Sequence, residues 1–467
     1  MTGGSRVKSH PAAFGPCFSR ESALESAVRE ARLESGSTMT IGRRNFLKMT
    51  AGAAGAWGLA GAGRVEPAGG QASPPAKDSP IGRLKPMTAG IIPISDDERR
   101  ARMDKARRLM AEAKIDAILI EGGTGLVYFT DVSWWLSERV LAWILPARGE
   151  MAWVCPKFEE DRARELIRFG AGDIRTWEED ESPYKAIVGV LRDRGLSAGR
   201  VGIEERVRFF VYDGLRKEGP GFEWVSADPV TIGCRSVKSA AEIALMQRAN
   251  DITVEAYKAA LAMLREGMTK EEFGANVAAA FQALGVPGGA GASFGEQSSL
   301  PHGSIKPRTL REGDIVLMDG GCTVAGYQSD ISRTVVFGKP SPKQRHVWEV
   351  EKRTQAAAFA AARPGVPHED LDAAARKVLV AAGYGPGYKL PGLPHRTGHG
   401  IGMDGHEWTY LVKGNKAPIR PGNCFTDEPM IVIPGEFGVR LEDDFHITED
   451  GAKWFTQPSP SIEQPFA

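Results

Sequence analysis

The chain has 467 residues, 42% of them hydrophobic and 25% charged, with 59 basic and 59 acidic side chains. A formal charge of zero supplies no electrostatic drive toward nucleic acid or an anionic membrane, so no nucleic-acid partner is expected. Past the N-terminal region no run of about 18 apolar residues occurs, so no integral membrane segment is expected in the mature protein.

The first 94 residues carry signals other than those of a folded domain. Arg43 and Arg44 precede Phe46, Leu47 and Lys48, and a mildly apolar Ala/Gly run follows from Met49 to Gly63. This layout resembles a twin-arginine export signal, which implies a periplasmic or extracellular protein. Gly70-Gln71-Ala72 is the expected cleavage site, with Ala72 the last residue removed. Such a signal belongs at a chain start, so Met39 is the expected start, residues 1–38 an over-extended N-terminus and residues 39–72 the signal. Residues 73–94 are expected to be linker; the stretch 64–85, rich in Pro, Gly, Ala and Ser, has the composition of a disordered segment. The five cysteines, Cys17, Cys155, Cys234, Cys322 and Cys424, form no CxxC or zinc spacing, and no disulfide framework is expected.

Residues 95–234 alternate helix and strand patterns, which predicts an α/β domain. "DDERRARMDKARRLMAEAKI" places Met103, Ala106, Met110 and Ala113 on one helical side, and "DAILIEG" is a buried strand. "VLAWILPARGEMAWVCP" is a hairpin turning at Arg148-Gly149, with Trp134, Trp135, Trp143 and Trp153 expected in the core. A helix from about Glu159, a strand at Val201–Ile203 and a helix near Phe209–Lys217 follow.

The second domain, residues 235–455, opens with two capping boxes, Ser239 with Glu242 and Thr269 with Glu272. After Thr269, the residues Phe273, Val277, Ala280, Phe281 and Leu284 make one apolar helix face. "REGMTKEEFGANVAAAFQALG" from Arg265 matches "RPGVPHEDLDAAARKVLVAAG" from Arg363. The match continues: "LREGDIVLMDGG" aligns with "IRPGNCFTDEPM", pairing Asp319 with Glu428, and "GYQSD" aligns with "GVRLE", pairing Asp330 with Glu442. His302 falls opposite His399. An internal duplication with a pseudo-twofold is therefore expected, in an α+β domain followed by a tail over 456–467.

Such a pseudo-twofold brings Asp319, Asp330, Glu428 and Glu442 together beside His399. Four carboxylates cannot be buried without compensating charge. Two divalent cations neutralise them, and bridging carboxylates hold such ions about 3.5 Å apart. One imidazole among four carboxylates makes an oxygen-rich donor set, favouring Mn²⁺, with Co²⁺, Fe²⁺ and Zn²⁺ left open.

"DGGCTVAGYQSDISRT", "HRTGHGIGMDGHE", "DEP" and "GVRLEDDF" resemble the successive motifs of the pita-bread metallopeptidases, in the branch of prolidase and aminopeptidase P. The likeness covers about residues 95–452. It implies a pita-bread (creatinase/aminopeptidase-like) catalytic domain behind a creatinase-type N-terminal domain, and a homodimer. It also implies Asp319, Asp330, His399, Glu428 and Glu442 as ligands of a dinuclear centre that cleaves Xaa-Pro bonds with a hydroxide bridging the ions. Glu428 is expected as general base, His302 and His406 as residues facing the substrate or its oxyanion, and His395 and Arg440 as substrate-binding residues. His10, His346, His368 and His446 have no such context and are expected to be surface or structural residues.

Two positions depart from the family pattern. Met430 follows "EP" where glycine is usual, and Trp408 follows His406-Glu407 where proline is common. Both bear on the proline preference. The competing functions are a creatinase-like amidinohydrolase, a metal-dependent lyase on a small substrate, and a metal-free binding protein. The intact set of five candidate ligands argues against the amidinohydrolase and the binding protein.

Overall fold

Ser95 starts the first helix: its hydroxyl accepts the Glu98 amide at 3.1 Å, ahead of three acidic residues in the first turn. In the computed structural model, which describes residues 76–466, this helix α1 (Asp96–Ala113) buries Met103, Ala106 and Met110. There follow β1 (Ala117–Glu121), α2 (Thr124–Thr130), β2 (Ala142–Pro146), β3 (Ala152–Pro156), α3 (Glu160–Leu166) and β4 (Ile174–Trp177). The domain ends with α4 (Pro183–Asp193), β5 (Gly199–Ile203), α5 (Phe209–Glu218), β6 (Phe222–Ser226) and α6 (Asp228–Arg235).

Its mixed sheet has the order β4-β3-β2-β1-β5-β6. Alternation along β1 separates two cores: Ile118 and Ile120 pack with α1, α2 and α6, while Ala117 and Leu119 pack with α4 and α5. The predicted hairpin is β2–β3, with Trp143 opposite Trp153 and both fully buried. Trp134 is buried too, but Trp135 is 62% exposed, contrary to the expected core position. Both lie in the irregular segment between α2 and β2, outside the hairpin, and only Trp134 turns into the core.

The second domain repeats one plan twice. First come α7 (Ala240–Leu261) and α8 (Lys270–Leu284), each with a complete capping box, then β7 (Gly288–Phe294), β8 (Ile315–Val324), β9 (Tyr327–Gln328) and β10 (Ile331–Val336). The predicted α8 face is buried at all five positions. Next come α9 (Pro342–Ala361) and α10 (His368–Ala381), then β11 (Gly398–Gly400), β12 (Glu407–Leu411) and β13 (Cys424–Asp427). The chain closes with β14 (Met430–Ile433), β15 (Phe437–Arg440), β16 (Asp443–Thr448) and β17 (Gly451–Trp454). A helix pair followed by antiparallel strands thus occurs in both halves, as the internal duplication requires. The sheets β10-β8-β7 and β12-β11-β13-β16-β17 meet at a bridge between Ser332 and Glu442.

The stretch after residue 75 differs from its composition. Residues 76–94 contain no helix or strand, yet Ile81 is 1% exposed and packs with Leu84, Met87 and Ile91 against the core of α7 and α8. The Met87 amide also donates to the Leu284 carbonyl at 2.9 Å. Apolar residues three to four apart anchor this strap despite its Pro and Gly content. Ile81→Ala is accordingly expected to destabilise the protein by about 2–5 kcal/mol, read as a lower denaturant midpoint; an unchanged midpoint would mean the strap carries no packing energy.

Cys155, Cys234, Cys322 and Cys424 are buried free thiols. His368 and His446 are buried structural residues, and His346 is exposed. Among the described residues no helix is long and apolar enough to cross a membrane. The expected over-extension, the twin-arginine segment, most of its cleavage-site context, Cys17 and His10 lie outside the described residues.

Candidate metal centre

The four acids sit at matched places in the two halves. Asp319 lies within β8, paired across the sheet with Ser332 of β10 and Gly291 of β7. Asp330 occupies the break between β9 and β10, Glu428 that between β13 and β14, and Glu442 that between β15 and β16. The two acid-bearing strands of the first half come very close: a Cβ on Gly321 would stand 1.8 Å from the Ser329 carbonyl oxygen. That approach requires glycine and explains the "DGG" step.

Backbone bonds fix each ligand-bearing break. The Glu428 amide donates to Thr397 O at 2.8 Å, the Glu442 amide to Ser332 O at 3.2 Å, and the Asp330 amide to Asp444 Oδ2 at 3.0 Å. His399, on β11, is held by its own amide donating to Thr426 Oγ1 at 3.1 Å.

The side chains converge in three overlapping groups, each with its donor atoms within 4.8 Å of one another. They are Asp319, Asp330 and Glu442; His399, Glu428 and Glu442; and Asp330, His399 and His406. All five residues read from the sequence as ligands are therefore together, and His406 joins them. The Nδ1 of His399 faces the Gly400 carbonyl at 3.0 Å, which places the proton there and leaves Nε2, 3.3 Å from Glu428 Oε1, with a free lone pair.

Charge balance shows what this cluster lacks. Burial pushes the Asp330 and Glu442 carboxyls well above the ordinary range, and their carboxylate neighbours push them further. Burial likewise raises Glu428 to about 7. The opposing cation inside the cluster is Arg440, with Nη2 2.5 Å from Asp319 Oδ2 and Nε donating to Ser332 Oγ at 2.9 Å. Burial would lower the Arg440 pKa, but Asp319, Glu442, Glu428 and Asp330 outweigh it. One guanidinium cannot balance four carboxylates. His399 cannot help, because burial, and then His406, hold it neutral with a pKa of about 3. An oxygen-rich donor set with a neutral imidazole and an excess of negative charge fits divalent cations.

The remaining predicted residues surround this cluster. His406 stacks on His399 with ring centroids 3.7 Å apart, and its Nδ1 lies 3.1 Å from Arg396 Nη2. The Nδ1–H of His395 donates to the Arg396 carbonyl at 2.7 Å, while its buried Nε2 has no partner and burial lowers its pKa to about 4. His302 is exposed, close enough to His395 and His406 for its charge to depress both. Arg440 is buried, with its guanidinium on Asp319 and Ser332 and its Nη1 3.3 Å from the Pro301 carbonyl, beside His302.

Three participants went unread in the sequence. Ser332 Oγ lies 3.0 Å from Asp319 Oδ1 and 2.6 Å from Glu442 Oε2 and joins the halves. Its position directly across from Asp319 in the hairpin register was the available signal. Asp444 braces Asp330, and the Tyr257 hydroxyl lies 2.8 Å from Gly320 O and 3.0 Å from Ile331 O, clamping β8 to β10. Nothing in a linear motif marks those two.

Residues 244–449 match metallopeptidase family M24, and residues 102–237 match the creatinase/prolidase N-terminal domain. The Xaa-Pro dipeptidase of Lactobacillus helveticus is 32% identical over 369 residues, covering 77% of this chain and 98% of that protein. Among solved structures, the dipeptidase PepE from Mycobacterium ulcerans aligns with a TM-score of 0.74 at 30% identity, over 80% of this chain and all of that one. The dipeptidase from Pyrococcus horikoshii OT3 aligns with a TM-score of 0.69 at 30% identity, over 78% of this chain and 99% of that one.

Proposed function

The chain belongs to metallopeptidase family M24, with the pita-bread fold, and from that premise we propose that it is an exported, manganese-dependent hydrolase of Xaa-Pro peptides. It is a divalent-metal peptidase whose relatives are Xaa-Pro dipeptidases and prolidases. The observation that carries the reading is the convergence of Asp319, Asp330, His399, Glu428 and Glu442 with too little protein charge to balance them.

Those five residues would hold two cations, which when bound supply Lewis acidity at the scissile carbonyl and a water nucleophile active near neutral pH. Mn²⁺ is favoured because four of the five ligands are carboxylates. Glu428, whose carboxylate faces the cluster where the attacking water would sit, takes the proton from that water. His406 presents an imidazole to the carbonyl oxygen as it gains charge. His302 and His395 line the pocket for the second residue. The leaving nitrogen of an Xaa-Pro bond is tertiary and has no N–H until it is protonated. The unpaired Nε2 of His395 therefore meets a donor only late in the reaction, which favours the transition state over the substrate. Arg440 acts by orienting Asp319. Arg43-Arg44 and the mild apolar run after them support export by the twin-arginine route to the periplasm or beyond. A homodimer follows from family resemblance alone.

A panel of Gly-Pro, Ala-Pro-Ala and creatine, assayed with metal-stripped and Mn²⁺-restored protein, tests the proposal. Cleavage of Gly-Pro only after Mn²⁺ is restored is expected. Cleavage of creatine that ignores metal stripping would overturn it.

A further inference from the structure

The N-terminal domain contributes no residue to the carboxylate cluster, yet it grips the turn that carries His406. That turn, "IGMDGH" between β11 and β12, has glycines at 402 and 405, so its backbone has little intrinsic preference for one conformation. Something outside it must set its shape. Asp404, two residues before His406, spends both carboxylate oxygens on partners from the N-terminal domain. Thr124 Oγ1 donates to Oδ1 at 2.7 Å, Arg206 reaches Oδ1 and Oδ2 at 3.1 and 2.9 Å, and Arg235 reaches Oδ2 at 2.6 Å.

The same Arg235 amino group also meets Glu407 Oε1 at 2.5 Å, so one buried cation brackets His406 from both sides along the chain. Glu407 in turn accepts the Met403 and Asp404 amides at 2.9 and 3.2 Å and pairs with Lys238 at 2.8 Å, closing the turn on itself. Charge-assisted bonds of this kind are among the strongest a surface turn can make; those of Arg235 and Lys238 are shielded from water, while Arg206 is half exposed.

We infer that Asp404 is a positioning residue through which Thr124, Arg206 and Arg235 of the N-terminal domain hold His406 against the substrate carbonyl. This rests on the role assigned to His406 above. Its physical content is that the N-terminal domain acts in the chemical step without touching the metal ligands. Releasing the turn is expected to misplace one imidazole while Asp330, His399, Glu428 and Glu442 stay fixed by their own backbone bonds.

The test is a double-mutant cycle on the Mn²⁺-loaded full chain, with bound metal measured for every variant. Asp404→Asn is expected to lower kcat about 10–100-fold, the scale of a misplaced group, with KM and metal content unchanged. In a His406→Ala background it is expected to lower kcat no further. Thr124→Val, nearly isosteric, is expected to lower kcat in the same way, and Thr124→Ser to restore it. Full additivity of Asp404→Asn with His406→Ala, or a loss of bound metal in Asp404→Asn, would overturn the inference alone. An unchanged kcat for His406→Ala would overturn the role of His406 and the inference with it.

Discussion

Glu428→Gln is expected to lower kcat by about 10²–10⁴-fold, the range lost when a positioned general base is removed. The fold should survive, since the Glu428 side chain is fixed from its backbone: its amide is bonded to Thr397 and its neighbours continue β13 and β14. The amide side chain keeps one coordinating oxygen but cannot accept the proton that the carboxylate takes. Without metal, the variant should be no less stable than the parent at pH 8, because one of four mutually repelling carboxylates has gone. Steady-state kinetics with circular dichroism and thermal melting check both statements. An unchanged kcat would remove Glu428 from the mechanism.

Stripping the metal is expected to make stability depend steeply on pH above pH 6.5. Asp330, Glu428 and Glu442 have folded-state pKa values raised above their unfolded ones. Groups of that kind bind more protons in the folded state. Their stabilising contribution is present below the unfolded pKa and lost as pH rises through the folded one. For Glu428, raised from 4.5 to about 7, that loss is worth roughly 3 kcal/mol. Below pH 6.5 the effect is partly masked, because His395 and His399 are held neutral and favour the opposite trend. Above it those imidazoles are neutral in both states and drop out. Between pH 6.5 and 8 the metal-free protein should therefore lose about 1.4 kcal/mol per pH unit for each carboxyl still protonated. The Mn²⁺-loaded protein should lose much less, since the ions take the place of those protons. Denaturation midpoints of the two forms across that interval decide it. A metal-free protein that gains stability as pH rises there would contradict the charge balance described for the cluster.

Both expectations trace to residues that a linear reading could find. Asp319, Asp330, Glu428 and Glu442 were legible because the duplication repeats a turn, a strand and an acid in each half, and His399 because it stands in a dense His/Gly motif. The capping boxes at Ser239 and Thr269 and the buried face of α8 were legible because they depend on neighbours within a few residues. What depends on distant neighbours was not. Thr124 and Asp404 are 280 residues apart in sequence and meet only because the two domains pack together. The place of Arg440 two residues before Glu442 was legible, but its contacts with Asp319 and Ser332 of the other half were not. The strap over residues 76–94 was hidden by its own Pro and Gly, which break up the apolar anchors that fix it. Trp135 was misplaced because it lies in irregular chain before β2, where no periodicity tells which side chain turns inward.

Metal content measures the central claim most directly. Chains purified without chelator, reconstituted with Mn²⁺ and freed of excess ion should retain two ions each by elemental analysis, and none after exhaustive chelation at acidic pH. Fully folded protein that retains less than one divalent cation per chain under those conditions would contradict the claim that cations allow Asp319, Asp330, Glu428 and Glu442 to share one buried cavity.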